Sequence, residues 1–490
     1  MSGKNPANRV LCLNTLAFAV CFAAWTLYGV LITYLVDHRV LLLDKAQIGW
    51  LIGAPVLTGS ILRLPMGILA DKLGGKPVYV GLMLVSAAAM FLTSFASGFA
   101  GFLMGGLAFG LAGASFAVGV AYTSVWFPKN KQGTALGLFG MGNMGTAITA
   151  LVAPTLLEKL TNKGANIEGW RTLPQLYAGG LVLMALIFAA LAVPKKLEGP
   201  AKSLSVMLKP LANMRVWRFG LYYFVLFGGF VALSQWLIPY YLNVYGMSLA
   251  AAGAMATMFS LPSGLTRAVG GFLSDRIGAR STLYIVLSGV TLMFLLLIAP
   301  KMEITSPGEG VLADRPGTVT AVSPTEIQAA GVTYNLKQEP AKDPAIDSKT
   351  LVLPRFTSWQ EPAVHLGDSV KKKQILARGV THVFFQANQY VFTGLLLIAG
   401  VLMGLGMAAV YKHIPEYFPQ DVGVVGGLVG VLGGLGGFVL PIVFGYLLKG
   451  TGLWTSCWFL LAILAIVSLV WMHGVILKMS HKVDLAPQSK

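Results

Sequence analysis

Residues 63–76 read Arg63-Leu-Pro-Met-Gly67-Ile-Leu-Ala-Asp71-Lys72-Leu-Gly74-Gly75-Lys76, and residues 267–280 read Arg267-Ala-Val-Gly270-Gly271-Phe-Leu-Ser-Asp275-Arg276-Ile-Gly278-Ala-Arg280. The offsets from the arginine to the first motif glycine, the acid, the following base, the second glycine and the last base are the same in both. A second echo joins Phe127-Pro128, ahead of one Gly-rich stretch, to Phe418-Pro419, ahead of another. The chain is therefore built as two related halves, the plan secondary transporters use, with the site at the interface of the repeats.

The surroundings of the repeat decide the solvent. Of 490 residues 56% are hydrophobic and 11% charged, too few charges to cover a soluble protein of this length. Apolar runs of bilayer-spanning length fall at about 10–35, 47–70, 76–96, 98–127, 133–157, 172–193, 219–243, 249–273, 281–299, 391–411, 422–448 and 454–477. The first is too long for a signal peptide and is read as a retained span. An even count puts both termini on one side. Lys4, Arg9, Lys72, Lys76, Lys129, Lys131, the 194–218 link, Arg276, Arg280 and the tail lysines mark that side as the cytoplasm. The net charge of +17 is thus a topology signal, and no nucleic-acid partner is expected. Cys12, Cys21 and Cys457 match no metal or redox spacing. Without a metal-ligand cluster, nucleophile elbow or phosphate loop, the chain reads as no enzyme, with no cofactor or metal.

These readings predict an all-α membrane protein of twelve helices in two six-helix bundles, with one β-rich insertion. The expected organisation is a bundle over 1–193, a cytoplasmic linker over 194–218, helices seven to nine over 219–300, the insertion over 301–390, and helices ten to twelve with the tail over 391–490.

Arg63 and Arg267 carry the functional argument. Each precedes its loop acid by eight residues, about 12 Å along a helix, which places both near mid-membrane. An intramembrane arginine marks a functional site unless an acid at its own depth pairs with it. The acids of this chain fall at span ends or in loops. Two cations without an acidic partner imply a bound anion. A planar guanidinium gives a flat oxyanion two parallel hydrogen bonds, which lysine cannot. The fifth span carries Gly137, Gly140, Gly142, Asn143 and Gly145, and the eleventh Gly430, Gly433, Gly434 and Gly437. Glycines at this spacing let helix backbones approach and slide. Asn143 reads equally as an oxyanion contact or as interhelical glue.

The string Gly67-x-x-x-Asp71-Lys72-x-Gly74-x-Lys76, repeated as Gly271-x-x-x-Asp275-Arg276-x-Gly278-x-Arg280, resembles the loop signature of the major facilitator superfamily. With the paired arginines and the two Gly-rich helices, the chain resembles the nitrate/nitrite porter family within it. The resemblance implies alternating access and a small planar anion, nitrate or nitrite, as cargo. It also implies a bacterial inner (cytoplasmic) membrane setting with cytoplasmic termini and a monomeric carrier in the lipid bilayer. By the same resemblance Arg63, Arg267, Asn143 and Tyr223 contact the anion, and Phe116 and Phe227 sandwich its faces. Taken alone, both aromatics read as core.

Coupling stays open between nitrate/nitrite exchange and proton symport. His413 and Glu416, in Tyr411-Lys412-His413-Ile-Pro415-Glu416, are the candidate proton carriers, and their plainer reading is as solvated residues at a helix end. Residues 301–390 are polar and rich in Pro, Gly and Thr, with short alternating segments that predict a small β unit. Span parity puts it in the periplasm. The run Val364-His-Leu-Gly367-Asp368-Ser-Val370-Lys371-Lys-Lys-Gln374 resembles the hairpin of biotinyl/lipoyl-like barrel-sandwich domains, without a modifiable-lysine motif. A periplasmic protein partner for it and an inert insertion are both open. The alternatives to nitrate/nitrite transport are carriage of another small anion and a non-transporting sensor that uses the insertion.

Overall fold

The computed structural model describes residues 6–195, 208–298, 301–339, 352–386, 388–418 and 422–484. Residues 196–207 of the 194–218 link, and Pro419 of the second Phe-Pro pair, lie outside them. The chain divides into a helical unit, 1–296 with 393–490, and a second unit, 297–392.

Twelve helices of the helical unit are long and apolar enough to cross a membrane. They are α1 (Pro6–Asp37), α2 (Lys45–Leu73), α3 (Gly75–Thr93), α4 (Gly98–Ser124), α5 (Thr134–Leu160), α6 (Ile167–Leu191), α7 (Met214–Tyr245), α8 (Leu249–Ile277), α9 (Ala279–Leu297), α10 (Gln389–Tyr417), α11 (Val424–Thr451) and α12 (Ser456–Lys478). Local chemistry sets several ends. Asp44 accepts from the Gln47 amide while the Gln47 side chain accepts from the Asp44 amide, a reciprocal cap that starts α2. The Ser248 hydroxyl accepts from the Ala251 amide and starts α8.

The repeated loop has a backbone reason for its second glycine. Gly74 adopts φ 89° and ψ 151°, and Gly278 φ 84° and ψ 144°. That region is close to forbidden for any side chain, and in both halves it turns the chain from one span into the next.

The halves meet most closely at the end that carries Asp44. A Cβ at Gly53 of α2 would lie 2.8 Å from the Phe438 carbonyl of α11, and one at Gly49 would strike the Pro441 carbonyl. Lys449 of α11 bonds the Asp44 carboxylate at 2.8 Å across the two halves. This contact holds the Asp44 carboxyl below its usual range, so the pair survives mild acidification and is lost as the pH falls through that lowered value. Toward the other end the fit loosens. A Cβ at Gly427 of α11 would meet nothing within 4 Å, and one at Gly137 of α5 would reach only Ala268, at 3.8 Å.

Between Lys301 and Gln386 the described residues of the second unit are built from β-strands. Strands β1 (Lys301–Leu312), β5 (Val352–Pro362) and β7 (Ile375–Gln386) form an antiparallel sheet in the order β1-β7-β5. Strands β2 (Gly317–Val322), β3 (Glu326–Ala329), β4 (Val332–Asn335) and β6 (Ser369–Val370) form a second sheet in the order β4-β3-β2-β6. Val319, Ile327, Val364, Val370 and Leu376 belong to its small apolar core.

The loop geometry makes a test. Gly74→Ala and Gly278→Ala should each cost about 1–3 kcal/mol. Gly271→Ala should be neutral, because a Cβ there meets nothing within 4 Å. Thermal unfolding of the purified protein checks this; equal melting temperatures for all three variants would contradict the assigned backbone.

Candidate functional site

The two arginines sit at the same place in their halves but on different backbone. A turn at Leu62 divides α2, and Arg63 is the first residue of the segment Arg63–Leu73. Arg267 lies inside the unbroken helix Leu249–Ile277. Both are buried, with 2% and 5% of their surface exposed. Arg63 Nη1 donates to the Gly430 carbonyl of α11 at 2.6 Å, and its Nε to the Gly113 carbonyl of α4 at 3.5 Å. Arg267 Nη2 donates to the Tyr223 hydroxyl at 3.1 Å. Arg63 Nη2 and Arg267 Nη1 are buried without a hydrogen-bond partner. Among the described residues neither arginine has a carboxylate partner.

Aromatic rings join the two cations. The guanidinium carbons of Arg63 and Arg267 lie 5.3 and 5.2 Å from the centroid of one ring, Phe116. Phe227 sits 5.0 Å from Arg63 and stacks on Tyr223, with ring centroids 4.9 Å apart and planes 6° apart. A path of rings thus runs from Arg267 through Tyr223 and Phe227 to Arg63, with Phe116 shared by both. Ring faces attract cations, which offsets part of the cost of burying two like charges together. Phe227 falls in a π-helical turn, Phe224–Gly228, that interrupts α7. Such bulges re-aim side chains within a helix.

Two of the Gly-rich positions lie directly on the arginines. A Cβ at Gly140 would sit 2.9 Å from Arg267 Nε, and one at Gly434 would strike the Ser60 hydroxyl and lie 3.2 Å from Arg63 Nη1. Gly433 faces the Tyr223 ring, Gly430 the Tyr411 hydroxyl, Gly142 Phe18, Gly145 the Ala19 carbonyl and Gly437 Val231. Gly137 faces open space beside Ala268. Asn143 lies in a 3-10 turn of α5, fully buried, with its Oδ1 unpaired and its Nδ2 only 4.0 Å from the Met407 sulfur.

Three neighbours were not anticipated. The Trp25 ring lies 5.7 Å from Arg63, and its Nε1 donates to the Pro55 carbonyl at 2.8 Å. Tyr411 of α10 lies 5.9 Å from Arg267, packs edge-on to Tyr223, and donates to the Gly426 carbonyl. The Ser60 hydroxyl, one turn before Arg63, is buried and unpaired. Only Ser60 left a sequence signal, a polar residue on the arginine's helix face.

The remaining candidates lie away from the arginines. His413 and Glu416 are paired at 3.1 Å, and His413 is buried with its ring parallel to Phe219 at 5.6 Å. Solvation of His413 at a helix end is thereby corrected, because α10 continues to Tyr417 and packs it against α7. Of the loop motifs, Asp275 pairs with Lys412 at 2.5 Å and Arg280 donates to the Tyr417 hydroxyl. Gly67, Asp71 and Lys72 lie in the last turns of α2, Lys76 in the first turn of α3 and Arg276 in the last turn of α8.

Residues 15–307 match the model of the Major Facilitator Superfamily. The chain is 39% identical over 477 residues to the probable nitrate/nitrite antiporter NarK1 of Thermus thermophilus, covering 96% of this chain and 92% of that protein. It is 27% identical over 474 residues to the nitrite extrusion protein of Bacillus subtilis (strain 168), covering 94% of each. Two solved structures share the fold. One is a bacterial homolog of the human lysosomal transporter Spinster, inward-facing and occupied, with TM-score 0.59, 15% identity, and 96% and 97% of the chains covered. The other is the nucleoside transporter NupG, with TM-score 0.61, 13% identity, and 96% and 99% covered. The chain is a multi-pass membrane protein that belongs to the Major Facilitator Superfamily and, within it, to the family of nitrate and nitrite transporters.

Proposed function

We propose that this chain carries nitrate and nitrite across the bacterial inner membrane by alternating access, as a monomer with both termini in the cytoplasm. The observation that carries the reading is the arginine pair: two buried guanidiniums flank Phe116, each with one unpaired Nη, and no carboxylate answers them among the described residues. A flat anion with three or two oxygens would accept from both unpaired nitrogens while its faces lie against Phe116 and Phe227. Asn143 and Tyr223 supply the neighbouring polar atoms. Neutralising two like charges is also what would allow the halves to move past one another, so reorientation needs the anion. Exchange of one anion for another follows from that requirement.

One observation favours a second reading, proton symport. The His413–Glu416 pair is a titratable couple on α10, two residues beyond Tyr411, which faces Arg267. The periplasmic placement of the β unit, and a protein partner there, belong to this proposal as well.

Proteoliposomes preloaded with nitrite should take up nitrate, and unloaded vesicles should not. Arg63→Lys and Arg267→Lys should each lower uptake tenfold or more, the loss of about 1.5–3 kcal/mol of charge-assisted hydrogen bonding. Uptake at the unmodified rate by either variant would remove that residue from the site. A methyl group at Gly140 should act as steeply while the protein stays folded, because it displaces the Arg267 guanidinium; normal Km and kcat in Gly140→Ala would sink that account. His413→Gln decides coupling. Retained counterflow with lost pH-driven uptake establishes symport through His413, and counterflow with no pH-driven uptake in the unmodified protein establishes exchange.

A further inference from the structure

The two arginines do not stand in equal company. Arg267 has polar side chains beside it: the Tyr223 hydroxyl at 3.1 Å, and Asn143 one turn beyond Gly140, the glycine that faces it. Around Arg63 lie the rings of Trp25, Phe116 and Phe227 and the carbonyls of Gly113 and Gly430. Rings and carbonyls hold a cation, but they give an anion no hydrogen bond. The Trp25 Nε1 is a donor, and it is committed to the Pro55 carbonyl.

One side chain beside Arg63 is left to donate. Ser60 is the penultimate residue of the α2 segment Lys45–Ile61, and Arg63 opens the next segment. Both border the same point of α11, because a Cβ at Gly434 would strike the Ser60 hydroxyl and lie 3.2 Å from Arg63 Nη1. Several serines in these spans bond the carbonyl four residues back, as Ser234, Ser260 and Ser468 do. Ser60 does not: its hydroxyl is fully buried and has no hydrogen-bond partner. A buried hydroxyl costs free energy until something accepts from it. The repeat does not ask for this residue either, since the matching position, three before Arg267, is Gly264. There a Cβ would lie 3.1 Å from the Met144 amide nitrogen, so the α5 backbone closes the gap that a hydroxyl occupies beside Arg63.

The oxygen count of the cargo gives the hydroxyl a task. On the reading proposed above, the unpaired Arg63 Nη2 and Arg267 Nη1 take one oxygen each. Tyr223 and Asn143 serve the oxygen at Arg267. Nitrite has no further oxygen. Nitrate has a third, and the Arg63 side offers it one neutral donor among the described neighbours, Ser60.

We propose that the Ser60 hydroxyl donates to the third oxygen of nitrate and so raises the affinity of this carrier for nitrate over nitrite. The proposal rests on the nitrate and nitrite reading of the arginine pair. Purified full-length protein and its Ser60→Ala and Ser60→Cys variants are titrated with nitrate and with nitrite, and the two dissociation constants are compared. Ser60→Ala should weaken nitrate about tenfold, the loss of one hydrogen bond to a charged group, and leave nitrite within about twofold. Ser60→Cys keeps the volume but is a weak donor, so it should follow alanine, and it serves if the alanine variant does not fold. An unchanged ratio of the two constants overturns the proposal: if both rise, Ser60 only packs Arg63 in place, and if neither does, it has no part in binding. Nitrate affinity kept by Ser60→Cys and lost by Ser60→Ala assigns the effect to volume and overturns it as well. An unmodified protein that binds neither anion overturns the reading beneath the proposal, and the proposal with it.

Discussion

Two positive charges held out of water, on opposite halves of a bundle and without an acid between them, are the constraint around which this structure is arranged. Removing a guanidinium from water costs several kcal/mol even after relaxation, and placing a second beside it adds repulsion. The bundle offsets part of this with carbonyls on Arg63, a hydroxyl on Arg267 and the face of a shared ring. It leaves one nitrogen of each side chain unanswered. A soluble enzyme would meet the same debt with an aspartate. A carrier that must release its cargo is better served by leaving the charge to the cargo, since a resident carboxylate would compete with it at every turnover.

The glycines follow from the same constraint. Arg267 is reached by the backbone of α5 at Gly140, and Arg63 by that of α11 at Gly434, so each arginine is covered by a glycine of the other half. The contact is a crossed one: α2 with α11, and α8 with α5. Any rocking of the halves must slide these backbones over the guanidiniums, and a side chain at either position would catch. At the Asp44 end the same helix pair is shut by Gly53 against Phe438 and by the Lys449 ion pair, whereas Gly427 and Gly137 lie free. Closure at one end with slack at the other is the geometry of one limb of an alternating-access cycle.

The repeat made the arginines and the loop glycines legible because both obey local rules that survive without tertiary structure. Arg63 and Arg267 stand out by depth alone, and Gly74 and Gly278 by a backbone conformation that only glycine adopts readily. Phe116, Tyr223 and Phe227 came from family resemblance, since an aromatic on an apolar helix has no local mark that separates site from core. Trp25 and Tyr411 escaped for the same reason: they reach the arginines only through the packing of α1 and α10. The burial of His413 escaped because it depends on Phe219, nearly two hundred residues away in sequence.

Internal symmetry in the sequence did not bring symmetry of backbone. In the first half, turns or 3-10 segments interrupt α1 at Thr26–Leu27, α2 at Leu62, α4 at Gly110–Ala114 and α5 at Met141–Met144. In the second half α8, α10 and α11 run unbroken, and α7 carries the π turn. Each interruption weakens helical hydrogen bonds at the depth of the arginines, which is where a helix bends most easily. Arg63 therefore rides on a jointed frame and Arg267 on a rigid one. The tie from Arg63 to the Gly430 carbonyl crosses between the halves, whereas the tie from Arg267 to Tyr223 stays within its own. Separation of the halves must break the first and can spare the second. The two arginines, alike in sequence, thus take unequal parts: one reads the distance between the halves, and the other is a fixed anchor.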